Sequence, residues 1–302
     1  MLLRLIGEYT RPSRGAIGLI VALQFVATIG TLLLPSINAD IIDKGIIRGD
    51  TGYILRQGAF MLAVSLVQVA ATVVAVYFAA RTAMRFGRDL RSGVFRRVGQ
   101  FAAREVNAFG APSLLTRTTN DVQQVQTLVF MSFAMIVTTP IMMIGGVIMA
   151  MREDIGLSWL VAVAVPLLAG AIGLILSRMV PGFRRMQRRI DRVNQVLREQ
   201  IGGIRVVRAF VREPHEERRF EEANTELTDV TLYVGRWMAA MFPLVMLVLN
   251  ASTVAVLWFG GLRVDAGLMQ IGSMTAYISY LIQILIAILM STMLLMLLPR
   301  AS

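Results

Sequence analysis

Apolar residues gather along this chain into six stretches, roughly 15–37, 57–80, 129–151, 157–177, 237–260 and 272–298, separated by polar segments of very unequal length. A run of about 20 apolar residues at ~1.5 Å per residue matches the ~30 Å hydrocarbon core of a bilayer, with some tilt. Lipid offers the backbone no hydrogen-bond partner, so such runs predict helices. The pattern therefore predicts an all-α membrane protein with six transmembrane helices. Three connections, 38–56, 152–156 and 261–271, are short, whereas 81–128 and 178–236 run to about 48 and 59 residues. An even number of crossings puts both termini on one side, with the two long connections.

The long connections keep a helical period. Met186, Ile190, Val193, Leu197, Ile201, Ile204, Val207 and Val211 recur every three or four residues through arginine-rich sequence, the mark of an amphipathic helix. Met84, Leu90, Val94, Val98 and Phe101 give a less complete stripe in the first connection. Each connection thus reads as a helical hairpin with a prolyl break near its tip, at Pro112 and at Pro214, where the ascending helix is expected to stop. On that reading the ascending limbs, Arg81–Gly110 and Arg178–Glu213, would extend ~45 Å and ~54 Å at ~1.5 Å per residue. Pro181-Gly182 is expected to bend the second limb, and Gly202-Gly203 to allow a close helix approach.

With 56% hydrophobic and 16% charged residues among 302, the chain is too apolar for a soluble domain of this size. Twenty-five of its thirty Lys and Arg lie in the two termini and the two long connections. The positive-inside rule then places both ends and both hairpins in the cytoplasm. Residues 1–14 carry Leu2, Leu3, Leu5, Ile6 and Tyr9 beside Arg4, Arg11 and Arg14, which suits a short interfacial helix ahead of a domain spanning 15–302. The apolar run that follows is too long for a signal peptide and lacks a convincing cleavage site.

Several chemistries are excluded by composition. Cysteine is absent and His215 is the single histidine, so disulfides and Cys/His metal sites have no ligands. The one lysine, Lys44, sits in Asp43-Lys44-Gly45, and no G-x-x-x-x-G-K-[ST] occurs, so no catalytic residue for nucleotide hydrolysis can be named in this chain. Asn120, Asp121 and Glu199 read as ion-pair or packing partners rather than catalysts. The second hairpin interleaves 13 basic with 9 acidic residues, which argues against nucleic acid as a partner. No aspartate, glutamate, lysine or arginine lies centrally in a span, so an ion-coupled carrier is disfavoured and external power fits better. Polar uncharged residues do lie in the spans, and Gln68, Thr72, Asn250, Tyr277, Tyr280 and Gln283 are candidates for a substrate pathway. Nineteen methionines add adaptable apolar surface suited to bulky amphipathic solutes.

Stiff hairpins projecting from a membrane act as levers and need a motor at their tips. The sequence Leu114-Leu115-Thr116-Arg117-Thr118-Thr119-Asn120-Asp121-Val122 resembles the descending limb after the first coupling helix of the exporter-type ABC transporter transmembrane domain. Glu199-Gln200-Ile201-Gly202-Gly203-Ile204-Arg205-Val206-Val207-Arg208-Ala209-Phe210, followed by Arg219-Phe220, is similar to that family's second hairpin. The Val256-Leu257-Trp258-Phe259-Gly260-Gly261 and Ile271-Gly272-Ser273-Met274-Thr275-Ala276-Tyr277 segments look closest to one half of the bacterial heterodimeric multidrug exporters.

The resemblance implies that Ala111, Pro112, Ser113 and Leu114 form one contact with an ATPase domain, and Arg212, Glu213, Pro214, His215 and Glu216 the other. It implies ATP and Mg held by nucleotide-binding domains outside this sequence, a second exporter half as partner in a heterodimer, and the bacterial cytoplasmic membrane as location. The family usually continues from span six into a nucleotide-binding domain. We therefore expect either a truncated reading frame or a separately encoded ATPase. The leading function is the permease half of an ATP-driven exporter moving amphipathic drugs, lipids or peptides. The alternative from another class is a membrane-anchored scaffold or receptor whose hairpins dock a signalling partner.

Overall fold

The computed structural model describes Gly7, Tyr9, residues 13–135 and residues 137–297, the last five as backbone only. Among the described residues every regular element is helical. Helix α1 (Arg14–Asp40) passes into a π-helical turn, Ile41–Ile46, and α2 (Thr51–Val98) follows. Two short helices, α3 (Ala103–Phe109) and α4 (Ala111–Thr116), form the first tip, and a π-helical segment, Arg117–Asp121, leads into α5 (Val122–Met135). Next come α6 (Thr138–Glu153), a 3-10 turn at Ile155–Leu157, α7 (Ser158–Ala209), α8 (Glu213–Asp265) and α9 (Ile271–Leu297). Among the described residues, six helical segments are long and apolar enough to cross a membrane. The chain is an all-α, multi-pass membrane protein.

Local chemistry sets several helix ends. Asp50 Oδ1 accepts from the Tyr53 N–H at 2.9 Å and caps α2, while Arg96 and Arg97 in its last turn complement the carbonyl end of the helix dipole. Asp154 Oδ1 accepts from the Leu157 N–H at 2.9 Å and opens the 3-10 turn before α7. Pro140 stands in the first turn of α6, where its missing N–H removes no helical bond. Helices α5 and α6 lie within one candidate span, the third.

The chain divides into two compact units, one from Met1–Ala162 and Thr253–Ser302, the other from Val163–Ser252. In the first, small residues on α2 let helices approach closely: Ala71, Ala75, Ala79 and Ala83 form a buried stripe that continues into Phe86 and Leu90. Phe86 and Leu90 pack with Val122, Val125 and Val129 of α5, and Tyr9 meets Phe86 edge-on at 6.2 Å. Met84, expected on this buried face, is exposed, because the true period runs 79, 83, 86, 90, 94. Helix α9 is the most buried element of this unit, with Tyr277, Tyr280, Leu281, Ile284 and Leu285 each no more than 1% accessible.

In the second unit the ends of α7 and α8 lie antiparallel, sharing Met179, Val196, Ala223 and Val234 as buried residues. Arg189 pairs with Glu226, and Arg219 pairs with Glu199. The expected stripe holds from Met186 to Leu197; beyond it Val207 is half-buried, while Ile201, Ile204 and Val211 are exposed within this unit. Neither Gly202 nor Gly203 has a neighbour that a methyl group would meet, so no close approach occurs there. The helix runs unbroken through Pro181-Gly182.

Both ascending limbs are shorter than the sequence suggested. Helix α2 ends at Val98 and α7 at Ala209, which shortens the rods from Arg81 and Arg178 to ~27 Å and ~48 Å at ~1.5 Å per residue. The expected interfacial helix over 1–14 lies largely outside the described residues.

The loop-side end of the first unit is tied across the sequence. Asp43 in the π-helical turn accepts from the Gly272 N–H at the start of α9, at 2.7 Å. A Cβ at Gly272 would lie 2.3 Å from the Ala39 carbonyl oxygen and 2.5 Å from Asp43 Oδ2, so only glycine permits this seat. Gly272→Ala is expected to destabilise the chain by about 1–3 kcal/mol through overpacking, read as a lowered midpoint of thermal unfolding in detergent; an unchanged midpoint would show that the seat is not needed.

Candidate functional site

The first hairpin tip is a pair of short helices around Gly110, whose φ of +75° is a conformation that favours glycine. Pro112 does not stop an ascending helix. It occupies the second position of α4, where a fixed φ helps a helix start. Ala111 and Pro112 are exposed, and Ser113 and Leu114 half-buried. An aromatic clamp that the sequence did not reveal secures the tip: Phe101 stacks on Phe109 at 5.7 Å, and the Arg117 guanidinium lies 5.1 Å over the Phe109 ring. The Glu105 carboxylate accepts from the Ala102 N–H at 2.9 Å and fixes the start of α3.

Beyond this tip, Thr116, Thr118 and Thr119 hydroxyls donate to the carbonyls of Pro112, Leu114 and Leu115, four residues back. Such back-bonding loosens a helix, and here the chain takes the π-helical path of Arg117–Asp121. Asn120 and Asp121 are exposed within it and make no side-chain bond among the described residues, so the expected ion-pair or packing role is absent.

The second tip is built differently. Helix α7 ends at Ala209, Phe210-Val211-Arg212 turn, and α8 starts at Glu213 with Pro214 second. The Arg212 N–H donates to the Val207 carbonyl at 2.9 Å and the His215 N–H to the Arg212 carbonyl at 3.0 Å. Arg212, Glu213, Pro214 and His215 are exposed, whereas Glu216 is half-buried and lies 3.5 Å from Arg219. The amide of Gln195 and the guanidinium of Arg219 hold the Glu199 carboxyl below the usual carboxylate range, joining the two limbs just behind this tip.

The sequence pattern singles out the polar residues of this tip and passes over the apolar pair before them. Phe210 and Val211 are 72% and 76% exposed, and Val211 adopts φ +51°, a left-handed conformation unfavourable for a β-branched side chain. Their signal is present in the sequence as two apolar residues immediately ahead of the turn.

Of the residues proposed for a pathway, Gln68, Thr72, Tyr277, Tyr280 and Gln283 belong to the first unit and Asn250 to the second. Tyr277 and Tyr280 are fully buried, donating to the carbonyls of Leu157 at 2.6 Å and Leu32 at 2.8 Å. Their rings and hydroxyls are used in packing within the first unit. Gln68 Nε2 donates to Thr31 Oγ1 at 2.9 Å, and Thr72, exposed, donates to the Gln68 carbonyl at 2.8 Å. Asn250 is exposed on α8, and Gln283 is half-buried on α9. A depression of about 630 Å³ in the first unit is lined by Ile148, Met151, Ile155 and Gly156 with the charged Arg152, Glu153, Asp154 and Arg263. There Arg263 Nε donates to Asp154 Oδ2 at 3.0 Å.

Helices long and apolar enough to cross a membrane, with two helical hairpins, define an all-α membrane domain. Comparison with known proteins gives its family: the profile of the ABC transporter transmembrane region matches residues 17–289. The chain belongs to that family. It is 51% identical, over its whole length, to 52% of an uncharacterized ABC transporter ATP-binding protein of Mycobacterium tuberculosis. It is 30% identical, over 97% of its length, to 51% of an uncharacterized ABC transporter ATP-binding protein of Bacillus subtilis. A third relative, also from Bacillus subtilis, carries the name of a multidrug export ATP-binding/permease protein and is 24% identical over 68% of this chain and 35% of its own. The chain spans about half the length of the first two relatives.

Two expectations follow from this geometry. Val211→Gly should stabilise the chain by about 1 kcal/mol, because glycine accepts the left-handed turn without the Cβ cost; a lowered unfolding midpoint would contradict the strained turn. Burial raises the Glu153 carboxyl above its ordinary value, hydrogen bonds from Ser273 and Ser36 oppose this, and Asp40 and Asp43 reinforce it. The folded chain then binds that proton more tightly than the unfolded one, so stability falls as pH rises from the ordinary carboxylate value through the raised one. Glu153→Gln should remove that part of the decline above the ordinary carboxylate range, an effect under ~1 kcal/mol because the group is half-exposed; a steeper decline in the variant would reverse the sign.

Proposed function

We propose that this chain is the permease half of an ATP-driven exporter that moves amphipathic drugs, lipids or peptides across the cytoplasmic membrane by alternating access. Its termini and both hairpins face the cytoplasm. Nucleotide-binding domains outside these 302 residues bind ATP and Mg, and a second, non-identical half completes the translocation unit. The names of the relatives support this reading, since two are ABC transporter ATP-binding proteins and one is named for multidrug export.

The observation that carries it is the second tip. Exposed Phe210 and Val211 stand on a strained turn beside the polar run Arg212–Glu216, an apolar knob with a charged rim at the end of two ion-paired helices. A knob of this composition suits a groove on a partner domain, where apolar contact gives affinity and the rim gives register. The first tip, clamped by Phe101, Phe109 and Arg117, presents Ala111, Pro112, Ser113 and Leu114 in the same role. Displacement of either tip reaches the membrane along helices α2, α7 and α8, which continue from span to hairpin without interruption.

A disulfide that locks the second tip to the nucleotide-binding domain, placed through cysteines at Glu213 and on the facing domain of the full transporter, tests the proposal. Nucleotide binding should persist while transport falls at least about tenfold, with recovery on reduction. Transport at the unlocked rate with the crosslink complete would refute motion through this tip.

A further inference from the structure

Charge is not evenly spread along the second hairpin. Residues 178–190 and 230–237 hold Arg178, Arg184, Arg185, Arg188, Arg189 and Arg236 and no acidic residue, while all nine Asp and Glu of the hairpin lie between Asp191 and Asp229. Of these six arginines only Arg189 has a carboxylate partner, Glu226. The other five have no ion pair among the described residues, although Asp229 lies one turn from Tyr233 on α8 and Asp191 just beyond Arg188 on α7.

This acid-free segment begins where the fourth apolar span ends and closes where the fifth begins, at the depth of lipid headgroups. Two of its arginines are held in place. The Arg178 guanidinium lies 6.0 Å over the Trp237 ring and that of Arg185 lies 5.4 Å over Tyr233, with the two rings edge-on to each other at 6.5 Å. Helices α7 and α8 are drawn together at this level, since a Cβ on Gly182 would lie 2.8 Å from Val234 and 3.5 Å from Tyr233. Stacking restrains a guanidinium without consuming its N–H donors, which stay free for a phosphate. Tryptophan and tyrosine at this depth are interfacial anchors, and the surrounding Arg184, Arg188 and Arg236 add a positive field.

We propose that Arg178 and Arg185, stacked on Trp237 and Tyr233, form a binding site for the phosphate of an anionic phospholipid in the leaflet where α7 leaves the bilayer. A dissolved phosphate shares the chemistry but lacks an acyl chain to hold it at the span boundary, so the lipid is the occupant. The site goes beyond the transport reading, because it concerns the bilayer surrounding the chain and not the solute carried.

Brominated acyl chains quench tryptophan on contact and supply the test. In the full transporter chain, with every tryptophan except Trp237 replaced by Phe, nanodiscs are made with brominated phosphatidylglycerol or with brominated phosphatidylcholine at equal mole fraction. Quenching by the anionic lipid should exceed quenching by the zwitterionic one by about twofold or more. Arg178→Gln with Arg185→Gln should bring the ratio to about one, whereas Arg205→Gln with Arg208→Gln near the tip should leave it unchanged. Equal quenching by both lipids in the parent would overturn the site. So would loss of the preference on adding inorganic phosphate at constant ionic strength, which would assign the arginines to a soluble anion, and so would a preference that survives the Arg178/Arg185 substitutions. Taking ratios removes any common change in Trp237 emission caused by losing its stacked arginine.

Discussion

A hydrocarbon interior gives a backbone N–H or C=O nothing to bond with, and this constraint shapes the chain from local structure upward. Each crossing is helical because a helix closes its own hydrogen bonds. The polar side chains that remain inside are then spent on neighbouring backbone: Tyr277 on Leu157, Tyr280 on Leu32, Gln24 on Phe133. Such bonds fasten α9 and α1 to elements far away in sequence while leaving the helical ladders intact. Gln24, Gln68 and Gln283 each keep a buried Oε1 without a partner among the described residues, the places where this satisfaction is incomplete.

The same constraint explains what the sequence could and could not disclose. Span number, helical class and the existence of two hairpins were legible because each rests on composition over 20 residues or more, where lipid leaves few alternatives. The family was legible from short motifs around the tips and at Gly260-Gly261, and residues 17–289 match its transmembrane region. Element ends were less legible. Prolines at 112 and 214 look like terminators in a one-dimensional reading, yet both open helices, and the real stops come earlier, at Val98 and Ala209. A proline is compatible with a helix's first turn, and sequence alone does not say on which side of it the helix lies.

Site residues were the least legible. Tyrosine and glutamine in a span advertise polarity without direction, since the same residue can face a pathway or tie two helices together. Tyr277 and Tyr280 share one helical face as anticipated, but that face points into the packed interior of the first unit. Conversely, Val211 reads as one more member of an apolar stripe and Phe210 as the end of a motif, and only their exposure and the turn at Val211 single them out. The aromatic clamp of Phe101, Phe109 and Arg117 joins residues on either side of α3 and of the left-handed Gly110, which no periodicity encodes.

Beyond the membrane the governing interaction changes. Ion pairs between Arg189 and Glu226 and between Arg219 and Glu199 register α7 against α8, while the apolar stripe between them thins toward the tip. Individually such exposed pairs contribute little, about 0–1 kcal/mol, so the stiffness of the hairpin comes from helices continuous with the spans and from the buried residues Val196, Ala223 and Val234. Amide hydrogen exchange on the full transporter in lipid tests that stiffness most directly. Slow exchange is expected through 184–208 and 216–236, with fast exchange confined to the turn at 210–212. Rapid exchange throughout 184–236 would mean that these segments are not rods, and displacement at the tip could not reach the membrane.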